Sequence, residues 1–498
     1  MKKNRTAVCF SALLIILILS GCKIAISEKT GSDGTQDGPG IDTPVLTPDD
    51  ISGFFVRDGK LYDANGYLFQ MRGVNVNHNW NASGRDDESL YYESIPYIKA
   101  TGANAVRIVF GPVENDPWSY QGITTEARRQ VVEEYITYRI VPVVEYHNGT
   151  GLNDPAVLDE AVDFWIGEKE WLNDLERYVI LNITNEWGKQ NSDENGYGPS
   201  SYEDWAEEYK KAVTKLRSAG ISNLLVIDSF SYGHSLKCIL DYGRDIIDND
   251  PMNNVLFSIH AYGGWYSSES TGVTNYEDLS TNRWDVNWSA DHALDLLEEQ
   301  KLPVIFGEFS RNCTLDVGGD CAPDDELIED FNAHGAGWLF WMWWNWSGGS
   351  RVQMVNQPDS FSYTYSGAAV SGYMKGSQEA TVFPDTPVPD LPEAGVPDPD
   401  WNPGPVYMNQ RFNESWLQAT IDSSVDRPGY MEIEFQDGGT REPMYYAGWG
   451  NAFYTKTFNE SFFLGKSVRF RVHGADGSEA KTEFSELAYE KYFEIDAD

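Results

Sequence analysis

Between residues 52 and 376 one pattern recurs eight times: a short apolar, β-favouring run, then a stretch with the periodicity of an amphipathic helix. The runs lie near 69–75, 104–110, 140–146, 178–184, 224–228, 255–260, 303–308 and 337–343. Helices are predicted between most of them, over 124–138, 156–174, 202–219, 291–301 and 325–334 among others. Buried strands alternating with helices predict an α/β fold, a (β/α)8 barrel. An open doubly wound sheet is the alternative, but no Gly-rich phosphate loop supports it.

Two of the runs close on a carboxylate. Tyr178-Val-Ile-Leu-Asn-Ile-Thr leads into Asn185-Glu186-Trp187, and Pro303-Val-Ile-Phe-Gly307 into Glu308-Phe309. An ionisable group at the end of a buried strand is costly to desolvate, so two of them invite a functional reading.

Composition narrows the partner. Basic residues number 37 against 77 acidic, a net charge of −40, which excludes nucleic acid and suits a neutral substrate. Aromatic residues reach 14%, with 17 Trp and 28 Tyr, and such rings suit the apolar face of a pyranose.

The N-terminus reads as an export signal over residues 1–22. Lys2, Lys3 and Arg5 precede the run Leu13–Leu19, too short for a comfortable membrane span, and Leu19-Ser20-Gly21-Cys22 follows. That tetrapeptide resembles a bacterial lipoprotein box with Cys22 as the lipidated residue. The expected location is therefore lipid-anchored at the outer membrane or cell surface, with plain secretion as the alternative. Residues 23–51 are polar and rich in Gly, Pro and Asp, and are expected to form a flexible linker. In an oxidising compartment Cys313 and Cys321 could close a disulfide loop just beyond Glu308. No Cys/His spacing reads as a metal site.

Beyond the barrel, residues 377–405 hold eight prolines and read as a stiff, extended linker. Residues 406–498 carry period-two runs such as Tyr430–Phe435 and Ser467–Val472, divided by Asp-Gly turns. They predict a small all-β, sandwich-like accessory domain, a candidate for carbohydrate binding.

In a (β/α)8 barrel the working residues stand at the C-terminal strand ends. Those positions hold His78, Arg107, His147, Asn185, Glu186, His260, Tyr262, Glu308, Trp341 and Trp343. Three of the chain's seven His fall there. Two carboxyls facing each other suit hydrolysis of a glycosidic bond, one giving a proton and the other ionised. Arg107 beneath Glu308 would hold that carboxylate ionised, with Tyr262 hydrogen-bonding it. Glu186 would then be the acid/base, Asn185 would contact a sugar hydroxyl, and a Trp of the last strand would lie beneath the sugar.

These residues together resemble glycoside hydrolase family 5, most closely its bacterial endo-β-1,4-mannanases. The likeness spans roughly 53–376. It rests on Met71-Arg-Gly-Val-Asn75, Gly102–Val109, Glu145-Tyr-His147-Asn-Gly-Thr-Gly151, Ala161–Trp165, Asn182–Trp187, Phe257-Ser-Ile-His260-Ala-Tyr262, Gly307-Glu308-Phe309 and Gly337–Trp341. The resemblance implies a retaining enzyme with Glu186 as acid/base and Glu308 as nucleophile. Arg107, His147, Asn185, His260, Tyr262 and Trp341 match supporting positions, and no metal or cofactor is needed. It implies action on a β-linked polysaccharide: mannan, glucomannan or galactomannan. A monomer is expected. His147-Asn148, Ser231-Tyr232 and Trp343-Trp-Asn-Trp346 depart from the mannanase pattern, so a β-1,4-glucanase or glucomannan hydrolase of the same family is the first alternative. A non-catalytic glycan-binding surface lipoprotein is the second.

Overall fold

The alternation of side chains along the strands decides what the fold encloses. The computed structural model describes residues 51–78, 89–111, 123–188, 199–262, 264–267, 288–310, 324–344, 352–408, 417–421, 425, 428–439, 441–446, 451–455, 465–488 and 490–496. Eight parallel strands close into a barrel: β1 (Arg72–Asn77), β2 (Ala105–Phe110), β3 (Val141–Tyr146), β4 (Ile180–Asn182), β5 (Leu225–Asp228), β6 (Val255–Ala261), β7 (Val304–Phe309) and β8 (Gly337–Phe340). Helices α1 (Ser89–Ala100), α2 (Thr125–Thr137), α3 (Pro155–Gly167), α4 (Lys169–Asp174), α5 (Pro199–Ser218), α6 (Leu236–Asn249), α7 (Ala290–Glu299), α8 (Asp324–Ala333) and α9 (Tyr365–Met374) follow the strands. The expected (β/α)8 barrel is the fold.

Outward residues such as Val106, Ile108, Val144, Leu181, Ile227 and Ile259 pack against the helices. Inward residues divide by height. Met71, Ala105, Val141, Val143, Ile180, Val226, Leu256, Ile305 and Leu339 form an apolar lower layer. One step further along the same alternation stand Asn75, Arg107, Glu145, Asn182 and Asp228, all fully buried. The period of two therefore delivers a polar layer to the C-terminal end of the lumen. β7 needs a correction to join it. Its register against β6 shifts between Phe306 and Glu308. The extra residue, Gly307, turns Glu308 inward, where unbroken alternation would aim it at the helices.

The N-terminal ends of the strands are closed by chain from both flanks. A hairpin, Phe55–Arg57 with Lys60–Tyr62, covers one part. The segment read as a stiff, extended proline-rich linker covers the rest. Gln378 O accepts from Asn104 Nδ2, Lys99 pairs with Glu379, Thr381 donates to Asp63, and Phe383 stacks on Tyr178. Ala380 and Val382 enter the lower barrel core. The prolines give extension, as composition implies, but the first part of the segment is a strap across the barrel floor. A chain ending at residue 376 is expected to melt on the order of 10 °C below one ending at residue 390. That figure follows from about 1.5–3 kcal/mol per buried apolar side chain and about 2–4 °C per kcal/mol. Thermal denaturation of the two truncations followed by circular dichroism checks it.

The described strands beyond residue 405 form one antiparallel ladder: β9 (Val406–Met408), β10 (Gln418–Thr420), β11 (Pro428–Phe435), β12 (Arg441–Tyr446), β13 (Ala452–Tyr454), β14 (Ser467–Gly474), β15 (Glu479–Lys481), β16 (Ser485–Glu486) and β17 (Lys491–Phe493). Its halves face each other across a core of Met408, Met431, Ile433, Met444, Phe453, Phe470 and Phe493, as in a sandwich. The hydrogen bonds run on through β12, and the ends of the sheet meet in a bridge between Thr482 and Ile495. The β-domain touches the barrel through Tyr365 of α9 against Tyr430, and through Asn356 Nδ2 donating to Gly429 O.

Candidate active site

Arg107 is the hub of the polar layer. Nε donates to Asn182 Oδ1 at 2.7 Å, Nη1 to Glu308 Oε1 at 2.8 Å and Asn75 Oδ1 at 3.1 Å, and Nη2 to Asn185 Oδ1 at 2.8 Å. Nη2 also stands 3.4 Å from Asp228 Oδ2 and 3.7 Å from Glu145 Oε2. Burial opposes its charge, but these carboxylates outweigh that and hold the guanidinium protonated.

Around the hub the two strand-end carboxyls converge. Glu308 takes a second donor, Tyr262 OH at 2.8 Å, on Oε2. Glu186 Oε1 lies 2.8 Å from His260 Nδ1, which is also 3.5 Å from Glu308 Oε2. One oxygen of each carboxyl and a ring nitrogen of His260 all fall within 4.8 Å of one another. Three such donors could ligate a cation, but Arg107 and Tyr262 already donate to Glu308, and the guanidinium would repel a metal ion.

The two acids differ in character. Burial pushes the Glu186 carboxyl up to about 8, opposed by His147 and reinforced by the Asp228 charge. Burial raises Glu308 too, while His260 and Arg107 pull it back. The expectation that Arg107 holds Glu308 ionised, with Tyr262 hydrogen-bonding it, is thus modified: desolvation competes with the cation. Of the coupled pair Glu186 keeps the proton, because Glu308 is the one held by Arg107 and Tyr262.

The other expected residues separate into those the fold brings here and those it does not. Asn185 also donates to Thr150 Oγ1 at 2.8 Å and approaches His147 Nε2 at 3.3 Å, while His147 Nδ1 meets Glu145 Oε2 at 3.1 Å. Trp341, half-buried, stacks on His147 with centroids 5.9 Å apart. His78 departs from expectation: its ring points outward to Tyr135 of α2, Nε2 to OH 3.1 Å, and burial lowers its pKa to about 3. It is a neutral core histidine. Trp343 departs likewise, since its indole is buried and donates to Pro358 O at 2.9 Å. Cys22, Cys313 and Cys321 lie outside the described residues.

Sequence reasoning passed over Asp228, Glu145, Asn75 and Asn182. Asp228 closes Leu224-Leu-Val-Ile just as Glu308 closes its own run, so the signal was there. Ser231-Tyr232, read only as a departure from the mannanase pattern, belongs to a turn at the mouth. Ser231, Tyr232 and Gly233 are all left-handed, with φ of 61°, 58° and 73°. Only glycine suits the third, where a Cβ would sit 2.5 Å from His260 Cγ. The turn presents Tyr232, 38% exposed, against Gly151, where a Cβ would fall 2.4 Å from the tyrosine ring.

A pair of close carboxyls of unequal acidity, with an aromatic floor in the mouth of a (β/α)8 barrel, defines a glycoside hydrolase. The comparisons specify which. The family model described as cellulase (glycosyl hydrolase family 5) matches residues 62–347, and the chain belongs to that family. Mannan endo-1,4-beta-mannosidase of Salipaludibacillus agaradhaerens is 35% identical over 290 residues, covering 58% of this chain and 81% of that protein. The solved catalytic domain of the mannanase from Streptomyces sp. SirexAA-E aligns with a TM-score of 0.53 at 29% identity, over 69% of this chain and 98% of that one. The mannohexaose complex of Thermomonospora fusca β-mannanase gives a TM-score of 0.52 at 27% identity, over 67% and 100%.

Proposed function

We propose that this glycoside hydrolase cleaves β-1,4-linked mannan internally, by double displacement with retention. The observation that carries the mechanism is the approach of a Glu186 oxygen and a Glu308 oxygen to within 4.8 Å. Retaining enzymes hold their carboxyls about 5–5.5 Å apart, whereas inverting ones leave room for a water at about 6.5–9.5 Å. The substrate reading is supported by relatives whose names specify mannan.

In the first step a Glu308 oxygen attacks the anomeric carbon. The bond to the glycosidic oxygen breaks as that oxygen takes the Glu186 proton, leaving a mannosyl ester on Glu308. In the second step Glu186, now a carboxylate, removes a proton from water; the resulting oxygen attacks the same carbon and the ester bond breaks. Tyr262 and Arg107 hold Glu308 in line, and Trp341 lies alongside as the floor for the sugar ring.

Reducing-sugar release with product analysis on galactomannan, glucomannan and a soluble cellulose derivative, wild type against Glu186→Gln, tests the reading. Release from the mannans, lost in the variant, supports it; release from the cellulose derivative alone overturns the substrate. The pH profile is a separate prediction. Glu186 must carry its proton, so kcat/KM is expected to fall as pH rises through about 8. Initial rates across pH 5–10, with thermal melts to exclude unfolding, measure that limb.

Export with lipid attachment at Cys22 is part of the same proposal and rests on the N-terminal sequence; labelling with a radioactive fatty acid, wild type against Cys22→Ser, tests it.

A further inference from the structure

Asp228, outside the expected site residues, touches both the backbone of Glu186 and the ring that faces its carboxyl. Its Oδ2 accepts the backbone N–H of Glu186 at 3.0 Å, and its Oδ1 accepts from Asn182 Nδ2 at 3.1 Å. The first contact falls where Glu186 adopts a left-handed φ of 47°, a conformation that a residue with a long side chain keeps only under restraint. The same Oδ2 faces His260 Nε2 at 3.4 Å. That nitrogen is buried and makes no hydrogen bond among the described residues, while the other ring nitrogen lies 2.8 Å from Glu186 Oε1. Asp228, His260 and Glu186 thus stand in a row, carboxylate, imidazole, carboxyl.

From this row we propose that Asp228 is a positioning residue for the acid/base: it pins the turn that presents Glu186 and keeps the His260 proton on Nε2. The inference rests on the reading of Glu186 as the proton donor.

The consequence follows from lone pairs. Burial disfavours the imidazolium, so His260 carries a single proton. A carboxylate beside Nε2 draws that proton to Nε2, which leaves a lone pair on Nδ1. Nδ1 can then accept a hydrogen bond from a protonated Glu186, whereas an ionised Glu186 would meet lone pair with lone pair. Asp228 therefore favours the acid form of Glu186 twice, through the field of its charge and through the tautomer it imposes. The other titratable groups around the row are Glu308, Glu145, Arg107, His147 and Tyr262; Glu308 approaches His260 Nδ1 only at 3.5 Å, and Arg107 is shared with Glu308.

Asp228→Asn is nearly isosteric and separates these roles from simple folding. With its oxygen in the Oδ2 place the variant still accepts from Glu186 N–H and faces His260 Nε2, so what it loses is the charge that draws the ring proton to Nε2; Nδ1, beside the Glu186 and Glu308 oxygens at 2.8 and 3.5 Å, then becomes the favoured site. Nitrogen-15 NMR of histidine-labelled protein, with the His260 signals assigned by His260→Gln, reads the tautomer without any substrate. The wild type is expected to be protonated on Nε2 and Asp228→Asn on Nδ1. In parallel the alkaline limb of kcat/KM is expected to move down by a pH unit or more in Asp228→Asn. Should that variant fail to fold, Asp228→Glu keeps the charge and is expected to keep the wild-type tautomer. A wild-type His260 protonated on Nδ1, or an unmoved alkaline limb in folded Asp228→Asn, overturns the proposal. If neither protein hydrolyses any glycan yet the tautomer switches as expected, the positioning of His260 stands and the reading of the reaction falls.

Discussion

Replacing Glu308 by Ala is expected to lower glycan hydrolysis by at least about 10⁴-fold while leaving polysaccharide binding close to wild type. The size of the effect follows from where the carboxylate sits. Among the described residues it is the one acid held by both Arg107 and Tyr262, at 2.8 Å each. Added azide makes the experiment diagnostic. In Glu308→Ala it can enter the space of the lost carboxylate and attack the anomeric carbon from that side, so rescue should yield the α-glycosyl azide. In Glu186→Ala the enzyme forms its ester first and azide displaces Glu308 from the opposite face, giving the β-glycosyl azide. Proton NMR of the anomeric signals separates the products. A β-azide from Glu308→Ala would exchange the two assignments, and activity near wild type would remove Glu308 from the chemistry.

Arg107→Met should produce the largest loss of stability in the barrel. Arg107 is fully buried, and its removal leaves Glu308, Asp228 and Glu145 facing one another without a cation. Breaking a buried ionic cluster from one side costs about 3–5 kcal/mol, because the remaining charges stay desolvated. Urea denaturation is expected to show that loss at neutral pH and a smaller one near pH 4, where protonation of the orphaned carboxyls relieves their repulsion. Lysine is not expected to restore it, since one ammonium cannot address Asn75, Asn182, Asn185 and Glu308 at once. Equal destabilisation at both pH values would mean that shape, not charge, is what Arg107 supplies.

What was legible in the chain, and what was not, follows from how side chains are aimed. Glu186 and Glu308 could be read because a carboxylate ends an apolar run. Asp228 carries the same mark but resembles the ordinary aspartate that opens a loop. Arg107, Glu145 and Asn182 are polar residues at alternate positions of otherwise apolar strands, a pattern visible once the inward parity is known. Parity also explains the two misplacements. His78 lies just beyond β1, and its ring is aimed at α2. Trp343 shares the parity of Trp341, but β8 ends at Phe340 and the chain has turned before residue 343 is reached. The strap shows a different limit: proline content specifies an extended backbone and leaves open what it lies against. The bulge at Gly307 is invisible without the partner strand, because a register shift belongs to a pair.

The barrel floor, sealed by the hairpin and the strap, lies at the end remote from the Glu186–Glu308 pair. The contacts that seal the floor and the rim around the site are thereby physically segregated. Substitution at the exposed Tyr232 and its neighbours can therefore reshape the rim without eroding the floor, which leaves such a chain room to diversify.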